Sequence, residues 1–421
     1  MLQGVRDRIP NAEFVAFTSR PDDTRSRHGI PAFPLEAGSG PARPIPIAPA
    51  NPAGIVRPDS EPRSSGLRRL LGSVPGAMTL LRAGRDSVHA LRAGVAETVF
   101  SVQRYRWLRG LDLLIVAGSN QLSDYVGGPW GFPYRLAAWC SVAKIAGTPV
   151  AFLSVGAGPI RAPLSRRFIR SALSSAAFRS YRDVGSRETI RAIGVPGPHV
   201  VAPDLAHGLR LPAGAMRPPR ISGSGRTVAV NPLPYFDPRF WAENDPRVYR
   251  RYVETLASFA EALLARGDRV RFIPTQLRAD PPVIADIVQV LRERGWPGDA
   301  SELAPQVRTF EDLIRELGEA DVVVATRFHG AVLGLMAGRP VIGIAYRRST
   351  TDLLEDVGLG PCAIDAAELT VGGLLERIRI VESDHEAVDR IRRRMVEHRE
   401  AIGAQYDAVL RVVRAAPTGA G

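Results

Sequence analysis

Cysteine is scarce in this 421-residue chain, where it occurs at Cys140 and Cys362, far apart and outside any CxxC or Cys/His spacing. A disulfide framework and a cysteine-based zinc site are therefore not indicated. No apolar run approaches the roughly 18 residues that span a bilayer. The N-terminus also lacks the basic-then-apolar pattern of a secretory signal. These absences predict a reducing, cytoplasmic location, without export or a membrane span.

The common catalytic fingerprints are missing as well. The sequence contains no HExxH zinc helix, no GxSxG nucleophile turn and no GxGxxG or P-loop phosphate motif. We therefore expect neither a metal nor a cofactor. Lysine is almost absent too, because Lys144 is the single lysine among 55 basic residues that face 43 acidic ones. The resulting charge of +12 is carried by arginines, whose guanidinium groups suit phosphates and carboxylates. Because they are scattered and not interleaved with aromatic residues, nucleic-acid binding is not expected.

Short apolar strands alternate with amphipathic helices along most of the chain. Strands are predicted at 112–117, 149–155, 178–182 and 199–202, and a second series at 227–230, 269–274, 321–325 and 340–344. Strands that are apolar throughout are typical of a parallel sheet covered on both faces. The pattern predicts an α/β fold of two Rossmann-like, doubly wound domains facing a cleft, with ligands beyond the carboxyl ends of the strands.

Composition suggests the domain boundaries. We predict an N-terminal domain over 1–212, a C-terminal domain over 226–383, and a C-terminal helix and tail over 384–421 that packs back across the first domain. A strand is expected at 13–18 and helical spacing at 67–109. Between them, residues 21–62 hold 10 of the 35 prolines, which predicts a long loop without helix or central strand.

The richest motif is the segment Thr326-Arg327-Phe328-His329-Gly330, which follows a buried strand. Arg327 and His329 fall on the turn that opens the next helix, where free backbone N–H groups favour an anion. The arginine could bind a phosphate or carboxylate, and the histidine could transfer a proton near neutral pH. A capping histidine beside a surface arginine is the structural alternative.

Three further strand ends predict cleft residues. Arg182 and Asp183 follow the third strand and either face the cleft or form a structural pair ahead of Ser186, which is a candidate helix N-cap. The glycine turns that follow the first two strands allow close backbone approach by a ligand. Their candidate binding residues are Gly118, Ser119, Asn120, Gly156 and Gly158.

Aromatic residues in the next loop are weaker candidates. Tyr125, Trp130 and Tyr134, with Asp124, could contact a sugar ring, although such residues more often form lids or small cores. His207, close after Asp204, is the other histidine of interest.

An ordered set of motifs resembles the polysaccharide pyruvyl transferase family. The motifs are DLLIVAG at 112–118, GAGP at 156–159, YRDVGS at 181–186, VAPD at 201–204, TRFHG at 326–330 and GRPVI at 338–342. The resemblance covers about residues 112–359. It implies a fold similar to the glycosyltransferase B architecture and transfer of an enolpyruvyl unit from phosphoenolpyruvate to a sugar as a pyruvate ketal, with release of phosphate.

Under this resemblance, Arg182 and Arg327 would face each other from the two domains and bind the donor's phosphate and carboxylate. His329 would transfer a proton or contact phosphate, and Asp183 would orient Arg182 or accept a proton. Family members often carry a lysine where this chain has Ser349, a position that Arg347 or Arg348 could serve. They also usually begin with a strand and a Gly-Asn-x-Gly-Asp type turn, whereas this chain starts at Met1-Leu2-Gln3. Either the start is misplaced or the N-terminal domain lacks its first strand.

Several alternatives stay open at this stage. A nucleotide-sugar glycosyltransferase shares the two-domain cleft, and a non-catalytic glycan-binding homologue would bind sugar without releasing phosphate. The resemblance implies an acceptor that is a glycan or lipid-linked glycan of a cell-envelope or exopolysaccharide pathway. Peripheral contact with the inner face of the membrane is compatible with the basic amphipathic helices. The sequence does not indicate the oligomeric state.

Overall fold

The computed structural model describes residues 1–37, 94–212, 217–241 and 243–415. Most of the proline-rich segment, and the predicted helical region before residue 94, lie outside the described residues. Two parallel sheets organise the described chain, one of four strands and one of five, and a small two-stranded parallel sheet lies near the N-terminus. The α/β class predicted from the alternating pattern is confirmed, while the domain boundaries remain a prediction.

The four-stranded sheet and the segments around it form the first half of the chain. Its elements are, in chain order, α1 (Leu2–Arg6), β1 (Ala16–Thr18), α2 (Pro21–His28), β2 (Ala32–Pro34), α3 (described over 94–108), β3 (Leu114–Ala117), α4 (Phe132–Ala146), β4 (Val150–Val155), α5 (Pro163–Ser174), β5 (Phe178–Tyr181), α6 (Val184–Ala192) and β6 (Val200–Val201). The sheet runs in the order β3-β4-β5-β6, so consecutive strands are neighbours. Each predicted strand therefore forms, although β6 is only two residues long.

Strand β4 shows why this sheet is covered on both sides. All six of its residues are buried, and successive side chains of a strand point to opposite faces. Phe152 packs into the core that contains Trp139 of α4. Leu153 instead packs with Ile402 and Tyr406 of the C-terminal helix. The prediction that the last helix packs back across the first half is confirmed.

The proline-rich segment is the main correction to the predicted elements. Its first part is not a loop, because α2 begins at Pro21 and ends before Gly29. Proline is tolerated in the first turn of a helix, where its missing N–H would have no partner. Gly29 ends the helix in the left-handed conformation, with φ of 63°. Strand β2 then pairs in parallel with β1, so the predicted strand at 13–18 forms outside the four-stranded sheet.

The five-stranded sheet forms the second half of the chain. Its elements are β7 (Thr227–Asn231), α7 (Pro246–Ala265), β8 (Arg269–Phe272), α8 (Asp280–Glu293), α9 (Ala300–Leu303), α10 (Phe310–Glu319), β9 (Val322–Ala325), α11 (Phe328–Met336), β10 (Val341–Ala345), α12 (Arg348–Asp356), β11 (Ala363–Asp365), α13 (Val371–Ser383) and α14 (Ala387–Ala415). The strand order is β11-β10-β9-β7-β8. The edge strand β11 has three residues, too few for sequence periodicity to reveal.

A short 3₁₀ turn links the two halves. It spans Leu205–Gly208 and contacts both α11 and α14. The carboxylate of Asp204 caps this turn by accepting a hydrogen bond from the Ala206 N–H at 2.9 Å. The turn therefore brings the end of β6 against the helix that opens at Phe328. Within the described residues, no helix has the length and hydropathy required to cross a membrane.

Candidate functional site

A cavity of about 1240 Å³ lies where the carboxyl ends of strands from both sheets meet. One wall comes from the loops that follow β3, β4 and β5, and the other from the segment after β10, from α12 and from the end of β11. Its polar lining residues are Asn120, Ser123, Tyr125, Arg161, Arg182, Asp183, Ser186, Thr189, Gln276, Tyr346, Arg347, Arg348, Ser349, Thr351, Asp352, Glu355 and Asp365. This is the position in which open parallel sheets bind ligands.

Arg182 is the buried cation of this cavity. Its side chain is 9% exposed, with Nε 3.6 Å from Asp183 Oδ2 and one terminal nitrogen 3.6 Å from Asp204 Oδ2. The guanidinium carbon lies 4.3 Å from the centre of the Phe328 ring, in a cation–π arrangement. The Nε atom makes no hydrogen bond to any described residue. Two carboxylates and an aromatic face thus orient Arg182, while its Nε–H is left without a hydrogen bond.

The N-cap of α6 is Asp183 and not Ser186. Asp183 is the N-cap of α6, because its Oδ1 accepts a hydrogen bond from the Ser186 N–H at 2.6 Å. Ser186 lies inside the first turn, and its hydroxyl oxygen accepts from the Ala157 N–H at 2.8 Å. The prediction of a Ser186 cap is therefore wrong. The carboxylate three residues earlier reaches the N–H that an N-cap must satisfy, and the serine instead ties the loop after β4 to α6.

Three of the five candidate residues on the two glycine turns lie outside the cavity lining. A Cβ on Gly118 would lie 2.8 Å from the Ser154 carbonyl oxygen. The Ser119 carbonyl accepts a hydrogen bond from the Gly156 N–H at 3.0 Å. Gly118, Ser119 and Gly156 are absent from the lining, so the structure gives these glycines a packing explanation.

Asn120 and Gly158 do line the cavity, as the sequence predicted for substrate-binding positions. A Cβ on Gly156 would meet Asn120 Oδ1 at 2.7 Å and an Arg182 nitrogen at 2.9 Å. The missing side chain at Gly156 therefore leaves the space that Asn120 and Arg182 occupy. Their contact with substrate remains a prediction.

Arg327 is placed differently from the expectation. Its Nε donates a hydrogen bond to Asp280 Oδ1 at 2.7 Å, and its side chain is 15% exposed. Asp280 is fully buried in the first turn of α8. Arg327 does not line the cavity that Arg182 lines. The two guanidinium groups therefore do not line one cavity as expected, and the guanidinium group of Arg327 is bound by the buried carboxylate of Asp280.

His329 joins Arg182 through a residue that the sequence analysis did not select. Asp204 Oδ2 lies 3.8 Å from His329 Nε2 and 3.6 Å from the Arg182 guanidinium. Asp204 is 6% exposed, and this oxygen makes no hydrogen bond in the described chain. His329 is itself 58% exposed and lies outside the cavity lining. The sequence offered one signal for Asp204, because this aspartate and the proline before it directly follow a predicted strand.

Arginines also stand at the outer wall. Arg161, Arg347 and Arg348 all line the cavity. Arg348 is paired with Asp352 at 3.1 Å, whereas the Arg161 guanidinium group has no hydrogen bond or ion pair to the described residues. Burial and the charge of Glu243 raise the pKa of Tyr125 to about 12, and the Arg347 and Arg161 charges oppose that shift.

The cavity lining as a whole has no excess of positive charge, because it contains as many carboxylates as arginines. Asp183 and Asp365 serve as helix caps, and Asp352 is paired with Arg348. Arg161 and Arg347 are the arginines whose charges act on the Tyr125 hydroxyl. Ser349 lies on the same wall as Arg347 and Arg348, and replacement of the family lysine by either arginine remains a prediction.

The aromatic candidates divide between the cavity and the surface. Tyr125 lines the cavity. Trp130 is 65% exposed and packs with Tyr134 on the Phe168 ring, away from the cavity lining. Asp124 has a structural explanation, since its Oδ2 accepts from two N–H groups that precede α5, including that of Ala162. Of this set, the structure brings Tyr125 to the site.

His207 lies behind the site and not in it. It is 2% exposed, and its ring centre lies 4.5 Å from that of His398. His398 Nε2 lies 2.8 Å from Asp356 Oδ2. Burial, assisted by the His398 charge, lowers the pKa of His207 to about 4. This buried pair joins α14 to the 3₁₀ turn that Asp204 caps.

These features define a two-sheet α/β protein with a polar, arginine-bearing cleft at the carboxyl ends of its strands. A family model for polysaccharide pyruvyl transferase matches residues 1–348. The chain belongs to the polysaccharide pyruvyl transferase family, as its motifs predicted.

Individual relatives are distant. The amylovoran biosynthesis protein AmsJ of Erwinia amylovora is 22% identical over 185 residues, which is 43% of this chain and 43% of that protein. The chain thus matches less than half of the length of this curated relative.

Among solved structures, the calicheamicin glycosyltransferase CalG4 is 15% identical, with 98% of this chain and 94% of that chain covered and a TM-score of 0.47. The UDP-GlcNAc 2-epimerase of Neisseria meningitidis is 9% identical, with 76% and 81% covered and a TM-score of 0.47. Likeness at this level carries no argument about activity.

Proposed function

We propose that this chain transfers the pyruvyl group of phosphoenolpyruvate to a sugar of a cell-envelope or exopolysaccharide glycan, forms a cyclic ketal and releases phosphate. The observation that carries the proposal is the family match over residues 1–348. The cleft adds a buried arginine whose Nε has no hydrogen-bond partner in the described chain. The reaction is assigned to the cytoplasm, needs no metal or cofactor, and uses a free or lipid-linked glycan.

The donor needs more than one cation, because phosphoenolpyruvate carries a phosphate and a carboxylate. We assign Arg182 to one of these groups, and Arg161 with Arg347 or Arg348 to the other, since these are the guanidinium groups of the cavity lining. Paired guanidinium donors match the geometry of both anions. Arg327 is given a positioning role, because its bond to Asp280 anchors the start of α11.

Because Arg327 anchors the start of α11, Phe328 and His329 are placed near Arg182. Phe328 lies under the guanidinium group, and His329 Nε2 faces Asp204. We assign His329 to proton transfer and Asp204 to holding its ring. General acid catalysis of this kind contributes roughly 100- to 10,000-fold to a rate.

The reaction that we propose has three steps. A proton added to the methylene carbon of phosphoenolpyruvate makes a methyl group and leaves oxocarbenium character at C2. One acceptor hydroxyl attacks C2 and loses its proton, which gives a tetrahedral phosphate-bearing intermediate. A second hydroxyl of the same sugar attacks C2 and passes its proton to the departing phosphate oxygen while the C2–O bond to phosphate breaks. Inorganic phosphate leaves with the bonding electrons, and the two C–O bonds to the sugar form the ketal.

The test is phosphate release from phosphoenolpyruvate in the presence of a cell-envelope glycan extract. Wild type should release phosphate and yield a glycan with a new ketal methyl signal in its NMR spectrum. Arg182→Ala should be slower by about 100-fold or more, as for loss of an electrostatic anchor. Arg161→Ala should raise KM for phosphoenolpyruvate. Arg191→Ala is the matched control, because this exposed arginine of α6 lies outside the cavity.

Two results would contradict the proposal. Consumption of a nucleotide sugar in place of phosphoenolpyruvate would indicate a glycosyltransferase. Glycan binding without phosphate release, under conditions where the protein is folded, would indicate a non-catalytic binding protein.

A further inference from the structure

A second cavity, of about 450 Å³, opens beside the first within the C-terminal half. It lies between the segment that follows β7, the first turns of α7 and the turn that follows β11. Tyr346 and Asp365 line both cavities. Its volume falls in the range of roughly 300–1,000 Å³ that is usual for small-molecule sites. A ligand longer than one ring could therefore extend from the first cavity into the second.

The walls of the second cavity are aromatic with polar tips. Tyr235, Phe236, Tyr252 and Tyr346 line it, and the rings of Tyr235 and Tyr346 lie 6.5 Å apart. The hydroxyl groups of Tyr235 and Tyr346 make no hydrogen bond to a described residue, whereas Tyr252 is bonded to Thr326 at 2.7 Å. Two phenol groups are thus available to a ligand. Tyrosine offers an apolar face and a hydrogen-bonding end, which suits the apolar face and the hydroxyls of a pyranose ring.

The backbone at the rim is held in an unusual conformation. Phe236 has φ of 58°, in the left-handed region, which costs about 1 kcal/mol or more for a residue other than glycine. Its ring stacks on Trp241 with centres 5.0 Å apart and meets Tyr235 edge-on at 4.8 Å. The surrounding aromatic cluster therefore keeps the Phe236 ring at the cavity.

The charge of the second cavity favours an uncharged ligand. Among its described lining residues, the charged side chains are Arg251 and Asp365, which cancel. Asp365 Oδ1 accepts a hydrogen bond from the Ala367 N–H at 2.8 Å, and Oδ2 accepts none from the described residues, so it can accept one from a ligand hydroxyl. A nucleoside diphosphate would bring at least two negative charges to a single exposed arginine. A neutral, hydroxyl-rich ring matches the lining better.

We propose that this cavity, the tyrosine pocket of Tyr235, Phe236, Arg251, Tyr252, Tyr346 and Asp365, binds an uncharged pyranose ring of the acceptor glycan next to the sugar that is modified. The inference rests on the proposed function for the nature of the acceptor. Binding of the ring itself requires neither phosphoenolpyruvate nor turnover, so it can be measured separately.

The experiment is saturation-transfer NMR on the full chain with methyl β-D-glucopyranoside and methyl β-D-galactopyranoside, with UDP in a parallel arm. The Thr255→Trp variant fills the pocket with a side chain from α7. The Phe236→Gly variant removes the Phe236 ring, and glycine tolerates the left-handed backbone at this position. Each should weaken binding of a pyranoside by about fivefold or more, as expected when an aromatic contact is lost or blocked. Glu254→Trp is the matched control, because the neighbouring side chain is exposed and outside the lining.

The outcomes separate this inference from the proposed function. Pyranoside binding that is lost in Thr255→Trp and kept in Glu254→Trp supports the pocket, even if phosphate release is never seen. Pyranoside binding that both tryptophan variants retain overturns it, as does an absence of pyranoside binding to wild type. UDP binding that Thr255→Trp abolishes also overturns it, since the occupant would then be a nucleotide. Arg182→Ala should keep pyranoside binding while losing phosphate release.

Discussion

Replacing Asp204 by asparagine tests whether one carboxylate organises Arg182 and His329. Asparagine has the same shape, so its Oδ1 can still accept the Ala206 N–H that caps the 3₁₀ turn. The capping contribution of about 1 kcal/mol is therefore kept. What disappears is the charge on Oδ2, which lies 3.6 Å from the Arg182 guanidinium and 3.8 Å from His329 Nε2.

The stability cost follows from what remains around Arg182. Two unit charges about 4 Å apart attract by about 4 kcal/mol at an effective dielectric constant near 20, which sets an upper limit. Asp183 stays 3.6 Å from Arg182 Nε, so the cation is not left without a partner. The loss should fall between the roughly 1 kcal/mol of an exposed pair and the roughly 3–5 kcal/mol of a broken buried pair. We expect a decrease of about 2 kcal/mol in the free energy of unfolding in urea.

The kinetic effect should differ from a general loss of stability. Without the carboxylate, His329 loses its orientation, and kcat should fall by about 100-fold, the lower end of the range for general acid catalysis. The KM for phosphoenolpyruvate should not rise, because an anion has been removed beside Arg182. Phosphate release at several phosphoenolpyruvate concentrations gives both constants.

Asp299→Asn provides the control, since Asp299 also caps a short helix, with Oδ1 accepting from the Ser301 N–H at 3.0 Å, but is remote from the cavity. A folded Asp204→Asn protein with wild-type kcat would refute the role assigned to Asp204. A raised KM with unchanged kcat would refute it too.

Two further changes test the surroundings of the site. The pKa of His207 is lowered to about 4 from about 6.5 in an unfolded chain, so the unfolded state binds the extra proton between these pH values. The stability that this residue contributes is complete above pH 6.5 and is lost as the pH falls toward 4. The His207→Gln variant should reduce that loss by up to about 3 kcal/mol, as measured in urea titrations at several pH values. An unchanged pH profile would contradict the assignment. Gly330→Ala places a Cβ 2.1 Å from Oδ1 of the fully buried Asn231, so it should lower the thermal midpoint through an overpacking cost of about 1–3 kcal/mol; a midpoint equal to that of wild type would show that Asn231 can move aside.

Hydrophobic patterning was sufficient for the layered architecture. A strand such as β4, buried over its whole length between α4 and α14, must be apolar at every position, and that leaves a signal in the sequence. The alternation of short apolar strands with amphipathic segments predicted that helices connect the strands, and helices connect them in both halves. The strand β11 was not predicted, because it is too short to show periodicity, and the helix α2 was not predicted, because it begins with a proline.

The ordered motifs likewise sufficed for the family, because five of the six lie at the carboxyl end of a strand. Which of those side chains meet was beyond the sequence. Arg327 was expected to face Arg182, yet the fold brings a buried carboxylate, Asp280, to its guanidinium group. Asp204 instead stands between Arg182 and His329.

Local periodicity reports which side of an element is buried, and it therefore reveals strands, helices and the sheets that they build. Contacts such as that of Asp204 with His329 join segments far apart in the chain, and their distances depend on how two sheets and the turn between them pack. A pattern of residue types carries no such distance. The family and its layers could thus be inferred from amino-acid order, whereas the pairing of charges in the cleft emerged with the packing of the folded chain.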